Sequence, residues 1–377
     1  MQLDTLQMVR RSQYLVLWSR IGDYPPQMLD DIAYGDPNLP ADKRERRLFE
    51  YWMKEACYIP LTEFRFRLPL MLSYRDKGLR WNRDWLAKPE NRAVRQAVLD
   101  RITREGGLRS SDFEHQRDSR AGWWDWKPAK IALEQLYNEG TLLIDHRRNF
   151  QRVYDLAERV LPTWVDQTPP TPEAFYRHSL TRILRALGIA EAASMLWYMR
   201  IRVPEGRPYI KALIEDGLFV PIQVETAQGG TAEMLIHQED LPTLNAAAEG
   251  DINATHTTFL SPFDNLFWAV GRDMVLWNFL MRMEMYTPEP KRRWGYFSLP
   301  ILHGDQLVGR FDPKLERKAG LLRVKSLHAE PNITLDEKLM TVVAATFRQF
   351  AAWHQAKTLV IEKSDPPEFK RRLEAAL

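Results

Sequence analysis

The chain has one cysteine, Cys57, in 377 residues. A single thiol excludes an internal disulfide and any site built from several cysteines. The eight histidines are scattered, with no pair at metal-ligand spacing, so neither a metal nor another cofactor is expected. No run reaches the roughly 18 uninterrupted apolar residues that a membrane span needs, and the polar start Met1-Gln2-Leu3-Asp4 does not resemble a secretory signal. Charge of one sign is scarce too, with a formal net charge of only +3. Affinity for a polyanion must therefore come from local clusters. These absences point to a bacterial-type cytoplasmic protein with no membrane partner. What is present is ample apolar material, 45% of residues, in a chain long enough for two or three domains.

Three basic clusters stand out: Lys43-Arg44-Glu45-Arg46-Arg47, Arg147-Arg148-Asn149-Phe150-Gln151-Arg152 and Lys291-Arg292-Arg293-Trp294. Cationic groups attract phosphates, and planar side chains stack or wedge beside bases. The first cluster contains Glu45 and reads as a solvated run. The other two fall beside turns, where a solvated run and a phosphate-contacting surface explain them equally well, so Arg147, Arg148, Arg152, Lys291, Arg292 and Arg293 are candidates for DNA phosphate contacts.

The start of the chain carries a different chemistry. On a strand, Gln2 and Asp4 project to one face while Leu3 points to the other. On a helix the same spacing would splay them apart. A carboxylate beside an amide can hold a water and shield a developing cation, as breaking an N-glycosidic bond requires. Gln-apolar-Asp is a common pattern, and taken alone it is better explained by an edge strand with solvated polar residues.

Element patterns divide the rest. Tyr14 to Trp18 is an apolar-rich segment, and Phe49 to Ile59 reads as one buried element stopped before Pro60. Pro89 to Arg104 is helical, with Val94, Ala97, Val98 and Ile102 on one face. Gly106 to Phe113 turns into a short helix, and Lys127-Pro128 opens a third. Strands Thr141 to Asp145 and Gln151 to Leu156 follow across the turn Arg147-Arg148-Asn149. Three helices and a hairpin make a winged helix, whose third helix normally meets DNA.

The layout repeats after the linker Asp166 to Pro172. Helices are expected over Phe175 to Leu187, from Gly188-Ile189-Ala190 onward, and over Pro208 to Glu215. The second hairpin pairs Leu218 to Val224 with Glu233 to Ile236. Beyond the turn Leu260 to Asp264, a helix is expected to about Phe279. Strands over Tyr296 to Leu302, Gln306 to Asp312 and Gly320 to Leu327 precede a long helix, Thr334 to Trp353. The fold class is α+β: tandem winged helix-turn-helix domains with a small C-terminal β-rich module and helix. The expected divisions are 1–88, 89–165, 173–250 and 255–377, the first winged helix being short at its start.

Several segments together carry a family resemblance. They are Gln2-Leu3-Asp4-Thr5, Asp112-Phe113-Glu114-His115, Gly122-Trp123-Trp124-Asp125-Trp126-Lys127-Pro128, Arg147 to Leu156, Leu260-Ser261-Pro262-Phe263-Asp264 and Tyr286 to Tyr296. Over nearly its whole length the chain resembles winged-helix DNA glycosylases of the AlkZ type, especially the YcaQ-like branch that unhooks interstrand crosslinks. The resemblance implies tandem winged helices around a DNA channel and a catalytic Gln-apolar-Asp motif, here Gln2 and Asp4. It also implies a few dozen residues ahead of the motif, where this chain has one. Around Trp268-Ala269-Val270-Gly271-Arg272 the family's residues are more polar.

The expected partner is duplex DNA carrying alkylated or crosslinked purines, bound by a monomer. Asp4 would attract the cationic sugar and take a proton from water, while Gln2 orients that water or the carboxylate. No lysine adjoins the motif to form a Schiff base, which implies a monofunctional enzyme. Trp123, Trp124, Trp126, Tyr51 and Trp52 read as core residues, and His115 and His303 as ordinary hydrogen-bonding histidines. A winged-helix transcription regulator would explain the same helices and clusters but gives Gln2 and Asp4 no task.

Overall fold

The computed structural model describes residues 1–78, 80–113, 128–269 and 271–377. Trp123, Trp124, Trp126 and His115 lie outside the described residues. The chain divides into two units, one gathering residues 1–26, 53–56 and 176–377, the other 27–52 and 57–175. No helix among the described residues is long and apolar enough to cross a membrane.

In the first unit, a sheet orders strands Thr358–Ile361, Leu321–Ala329, Gln306–Glu316, Leu299–His303 and Thr257–Phe259, with Ser364–Asp365 also pairing to Leu321–Ala329. Helix Glu337–Trp353 starts where the Asp336 carboxylate accepts the Leu339 N–H at 2.8 Å, an N-cap of the usual kind. Its Phe347 and Phe350 rings pack against Phe259 and Phe311 at centroid distances of 4.6 to 6.1 Å. Helix Ser12–Ile21 buries Ser12, Leu15, Val16 and Ser19 at helical spacing. Its Trp18 ring meets Phe350 edge-on at 5.0 Å, which fastens the start of the chain to the C-terminal sheet and helix.

The same unit contains helix Pro172–Leu187 from Tyr176 onward, strand Ile189–Ala190, helices Ala192–Tyr198 and Val203–Glu215, and strands Phe219–Glu225 and Thr231–His237. Leu180, Ile183, Leu184 and Leu187 form the buried face of the first of these helices, as the periodicity predicts. The three strands make an antiparallel sheet with Thr231–His237 in the middle.

The second unit has helix Pro89–Glu105, strand Leu108–Arg109, a 3-10 turn at Ser110–Phe113, helix Pro128–Asn138 and strands Leu142–Arg148 and Gln151–Leu156. Its sheet again places the last strand in the middle. Of the expected apolar face on the long helix, Val98 and Ile102 are buried, Val94 is half-buried and Ala97 is exposed.

Four local expectations need correction. Phe49 to Ile59 is not one element but two strands, Leu48–Trp52 and Ala56–Pro60. They reverse where the Met53 N–H reaches Glu55 O at 2.9 Å. Ile189 and Ala190 do not open a helix; they pair with Ile236 and Leu235 in the sheet. The expected helix to Phe279 is broken: Asp264 caps a single turn, and Gly271 takes φ 79° before Arg272–Trp277 resumes. Finally, the 142–156 hairpin turns at Asn149 and Phe150, both with positive φ. Arg147 and Arg148 therefore belong to the strand.

Candidate functional site

Leu3 is buried, and its N–H donates to Ala56 O at 2.8 Å. Gln2 and Asp4 on either side of it are half-buried, and no strand forms over residues 1–4, where one was expected. One Asp4 oxygen accepts the Leu6 N–H at 2.7 Å, closing a short local turn. Burial raises the Asp4 carboxyl above its ordinary value, while the Leu6 amide and the Arg11 charge pull it back down.

This segment is secured along its length. Leu315 donates its N–H to Met8 O at 2.8 Å, Arg317 donates to Val9 O, and Arg10 donates to Trp353 O at 3.2 Å. Helix Ser12–Ile21 is tied by Ser12 Oγ to Ser261 Oγ at 2.6 Å and by a two-pronged Arg20–Asp264 pair at 2.7 and 2.8 Å. The Leu260 to Asp264 segment thus acts as the socket for that helix.

Ala56, the partner of Leu3, follows a clamped turn. The Lys54 ammonium lies 3.5 Å from the centre of the Trp197 ring, and Arg200 donates to Lys54 O and pairs with Glu55 at 3.5 Å. Partial burial, then the Arg200 charge, lowers the Lys54 ammonium from its ordinary value. Sequence reasoning missed Lys54, Trp197 and Arg200, because residues about 145 positions apart leave no local pattern when they meet.

The basic candidates divide sharply. Arg147 and Arg152 face each other across the hairpin, and both point at Glu50, whose side chain has no exposure at all. Arg147 grips both Glu50 oxygens at 2.6 Å, and Arg152 lies 3.7 Å from the second. Burial alone would raise Glu50, yet Arg147 chiefly, with Arg152 and the Tyr34 hydroxyl, holds it below its ordinary value. Tyr34 donates to the same carboxylate at 2.5 Å. These two arginines are therefore inward ion-pair partners and not cations at the hairpin tip. The cause is the turn position: with Asn149-Phe150 at the tip, Arg147 and Arg152 share the inner face and only Arg148 is exposed.

Lys291 and Arg293 are exposed and Arg292 is half-buried. Their backbone is held from below by Glu284, which is 2% exposed and accepts the amides of Arg293, Trp294 and Gly295 at 3.0, 2.7 and 3.2 Å. Asp312 accepts those of Tyr296 and Phe297 at 2.9 and 3.0 Å. Gly295 is required here, since it takes φ 126° and any Cβ would collide with the Asp312 side chain.

Tyr51 is buried and Trp52 half-buried, and both donate to Asn138, as core residues with polar tips do. His303 shares a 2.8 Å hydrogen bond with Thr257.

A family model described as "DNA glycosylase AlkZ-like" matches residues 1–353. Among solved structures, the Streptomyces sahachiroi DNA glycosylase AlkZ is similar in fold, with a TM-score of 0.53 at 16% sequence identity. The match covers 84% of this chain and 81% of that one.

Proposed function

We propose, from the premise that this chain belongs to the AlkZ-like DNA glycosylase family, that it excises N7-alkylated purines and unhooks interstrand crosslinks, with Asp4 and Gln2 at the reacting centre. The family supports a DNA glycosylase role and does not favour a transcription regulator. The observation that carries the finer reading is the half-buried Asp4 carboxylate, next to Leu3, whose backbone is bonded to a clamped turn.

Alkylation at N7 makes the purine cationic and weakens its bond to the sugar. The electron pair of that bond leaves with the base, so no general acid is needed. Asp4 stabilises the oxocarbenium-like sugar and takes the proton from the water that adds at C1′, and Gln2 orients that water. A crosslinked purine stays tethered to the opposite strand, so full extrusion into a deep pocket suits it poorly. An open channel formed by several modules suits it better. Lys54 is assigned to the clamp because its ammonium sits over Trp197. No lysine adjoins Gln2 and Asp4 in the sequence, which favours a monofunctional enzyme that leaves an abasic site. The repeated order of helix, strand, helices and hairpin supports a tandem winged-helix reading.

The direct test uses duplexes carrying N7-methylguanine or a nitrogen-mustard crosslink, scored for abasic sites by alkaline cleavage. Alkali-labile sites at the modified purine, without a borohydride-trapped covalent complex, are the expected result. Sequence-specific binding to undamaged DNA with no cleavage would overturn the reading.

Because Asp4 works ionised, the excision rate should fall as pH drops through its raised value, giving an acid limb above the ordinary aspartate range. Arg11→Ala removes a charge that lowers Asp4, so the acid limb should move to higher pH. A pH–rate profile that does not move would remove Asp4 as the titrating group.

For phosphate contacts we propose Arg148, Lys291 and Arg293, with Arg292 beside them. Each neutralised phosphate contributes about 0.9 to the slope of log affinity against log salt. Replacing both Lys291 and Arg293 by glutamine should flatten that slope by about two units. An unchanged slope would exclude the pair.

A further inference from the structure

The segment leading to the 291–293 cluster is unusual in what it hides and what it shows. Phe279 and Glu284 are buried, at 1% and 2% exposure, whereas Leu280, Met283 and Tyr286 are 47%, 41% and 78% exposed. Three large apolar side chains pointing to solvent within seven residues are costly unless something covers them.

The backbone that presents them is anchored. The Met281 N–H donates to an Asp273 oxygen at 2.6 Å, and Phe279 N–H reaches Asp273 O at 3.2 Å. Arg310, itself 2% exposed, donates to Leu280 O at 2.8 Å and lies 3.8 Å over the Phe279 ring. Arg292 Nε donates to Glu284 O and Thr287 O at 3.2 and 2.9 Å. A loop fastened at Phe279, Leu280, Met281, Glu284 and Thr287 cannot easily fold its apolar side chains inward. They are displayed on a rigid mount.

The charge around them says what they fit. Arg282, Lys291 and Arg293 are exposed in the same segment, against one exposed carboxylate, Glu289. Apolar side chains rimmed by cations match a nucleic acid opened between two base steps: the wedge enters the stack and the cations take the flanking phosphates. A purine tethered to both strands makes such opening necessary, because the step must be widened with the base still in place.

We propose that residues 280–286 form a wedge, with Tyr286 and Met283 entering the base stack beside the damaged purine while Lys291 and Arg293 hold the adjacent phosphates. This inference rests on the glycosylase reading for the nature of the lesion. Its test does not depend on catalysis.

The probe is duplex DNA with 2-aminopurine next to N7-methylguanine, bound by full-length Asp4→Asn protein so that the lesion persists. Fluorescence should rise on binding as the probe unstacks. In Asp4→Asn with Tyr286→Ser the rise should fall at least about fivefold, the lower end of what one base–aromatic stack contributes. Tyr286→Phe keeps the ring and should keep the signal. Both substitutions are at an exposed position, and unchanged melting temperatures will establish that the fold is intact. An undiminished rise in the double substitution Tyr286→Ser, Met283→Ser would overturn the wedge and point to a protein partner for this surface. A bound duplex with no rise even in the parent protein would overturn it as well. Excision by the protein with Asp4 restored is scored separately. A wedge signal without excision would mean that the glycosylase reading has failed and the wedge has not.

Discussion

Asp4→Asn lowers the rate of purine excision by about 10²- to 10⁴-fold, the usual contribution of a positioned general base, while DNA affinity stays unchanged. The substitution is close to isosteric. The asparagine oxygen can still accept the Leu6 N–H that Asp4 accepts at 2.7 Å, and Leu3 keeps its bond to Ala56. Position is thus preserved while charge and basicity are lost. A neutral amide neither attracts an oxocarbenium-like sugar nor takes a proton from water. Single-turnover excision of N7-methylguanine, measured beside equilibrium binding to the same duplex, separates the two effects. Near-normal excision by Asp4→Asn would sink the assignment. A parallel loss of binding would place Asp4 in recognition and not in chemistry.

The largest stability effect should come from Glu50, far along the sequence from that motif. Glu50→Gln leaves Arg147 and Arg152 facing a neutral amide in a site where the carboxylate had no exposure. Removing one partner of a buried ion pair costs about 3–5 kcal/mol, a large share of the roughly 5–15 kcal/mol that holds a typical domain together. Urea unfolding measures it. Arg147→Gln should lose a comparable amount, whereas Arg148→Gln, one residue away and exposed, should stay within about 0.5 kcal/mol of the parent. Equal losses for the two arginines would mean that the inward and outward faces are misassigned.

The pH dependence of stability follows from the same cluster. The folded Glu50 carboxyl lies below its ordinary value. Its contribution is fully present above the unfolded carboxylate value and is lost as pH falls through the folded one. Glu50→Gln should therefore weaken the acid-induced loss of stability.

Much of the local structure was legible. The spacing of Leu180, Ile183, Leu184 and Leu187 marks the buried face of the helix that carries them. The turn at Gly229 and Gly230, both with positive φ, marks a hairpin. The 299–303, 306–316 and 321–329 strands were visible in outline. The middle one was expected to stop at Asp312. Instead it passes Pro313 at a register shift, a place where a sheet tolerates a residue without an N–H. Strand Thr257–Phe259 was missed altogether. It is short, and its pairing with Leu299–His303 is decided by a partner about forty residues away.

By itself the sequence determined only that Gln2 and Asp4 would share a side wherever their backbone is extended, because alternation is a property of the extended backbone alone. It also determined the buried face of the helix over 172–187 and the hairpin about Gly229 and Gly230, because periodicity and glycine turns act over a few residues. Only the tertiary structure decided that Arg147 and Arg152 spend their charge on Glu50, that Trp18 ties the chain's start to Phe350, and that Lys54 is clamped by Trp197. In each case the partners are scores to hundreds of residues apart. A charged or aromatic side chain reads alike in a sequence whether it faces water or a distant counterpart, and its role depends on which one the fold supplies.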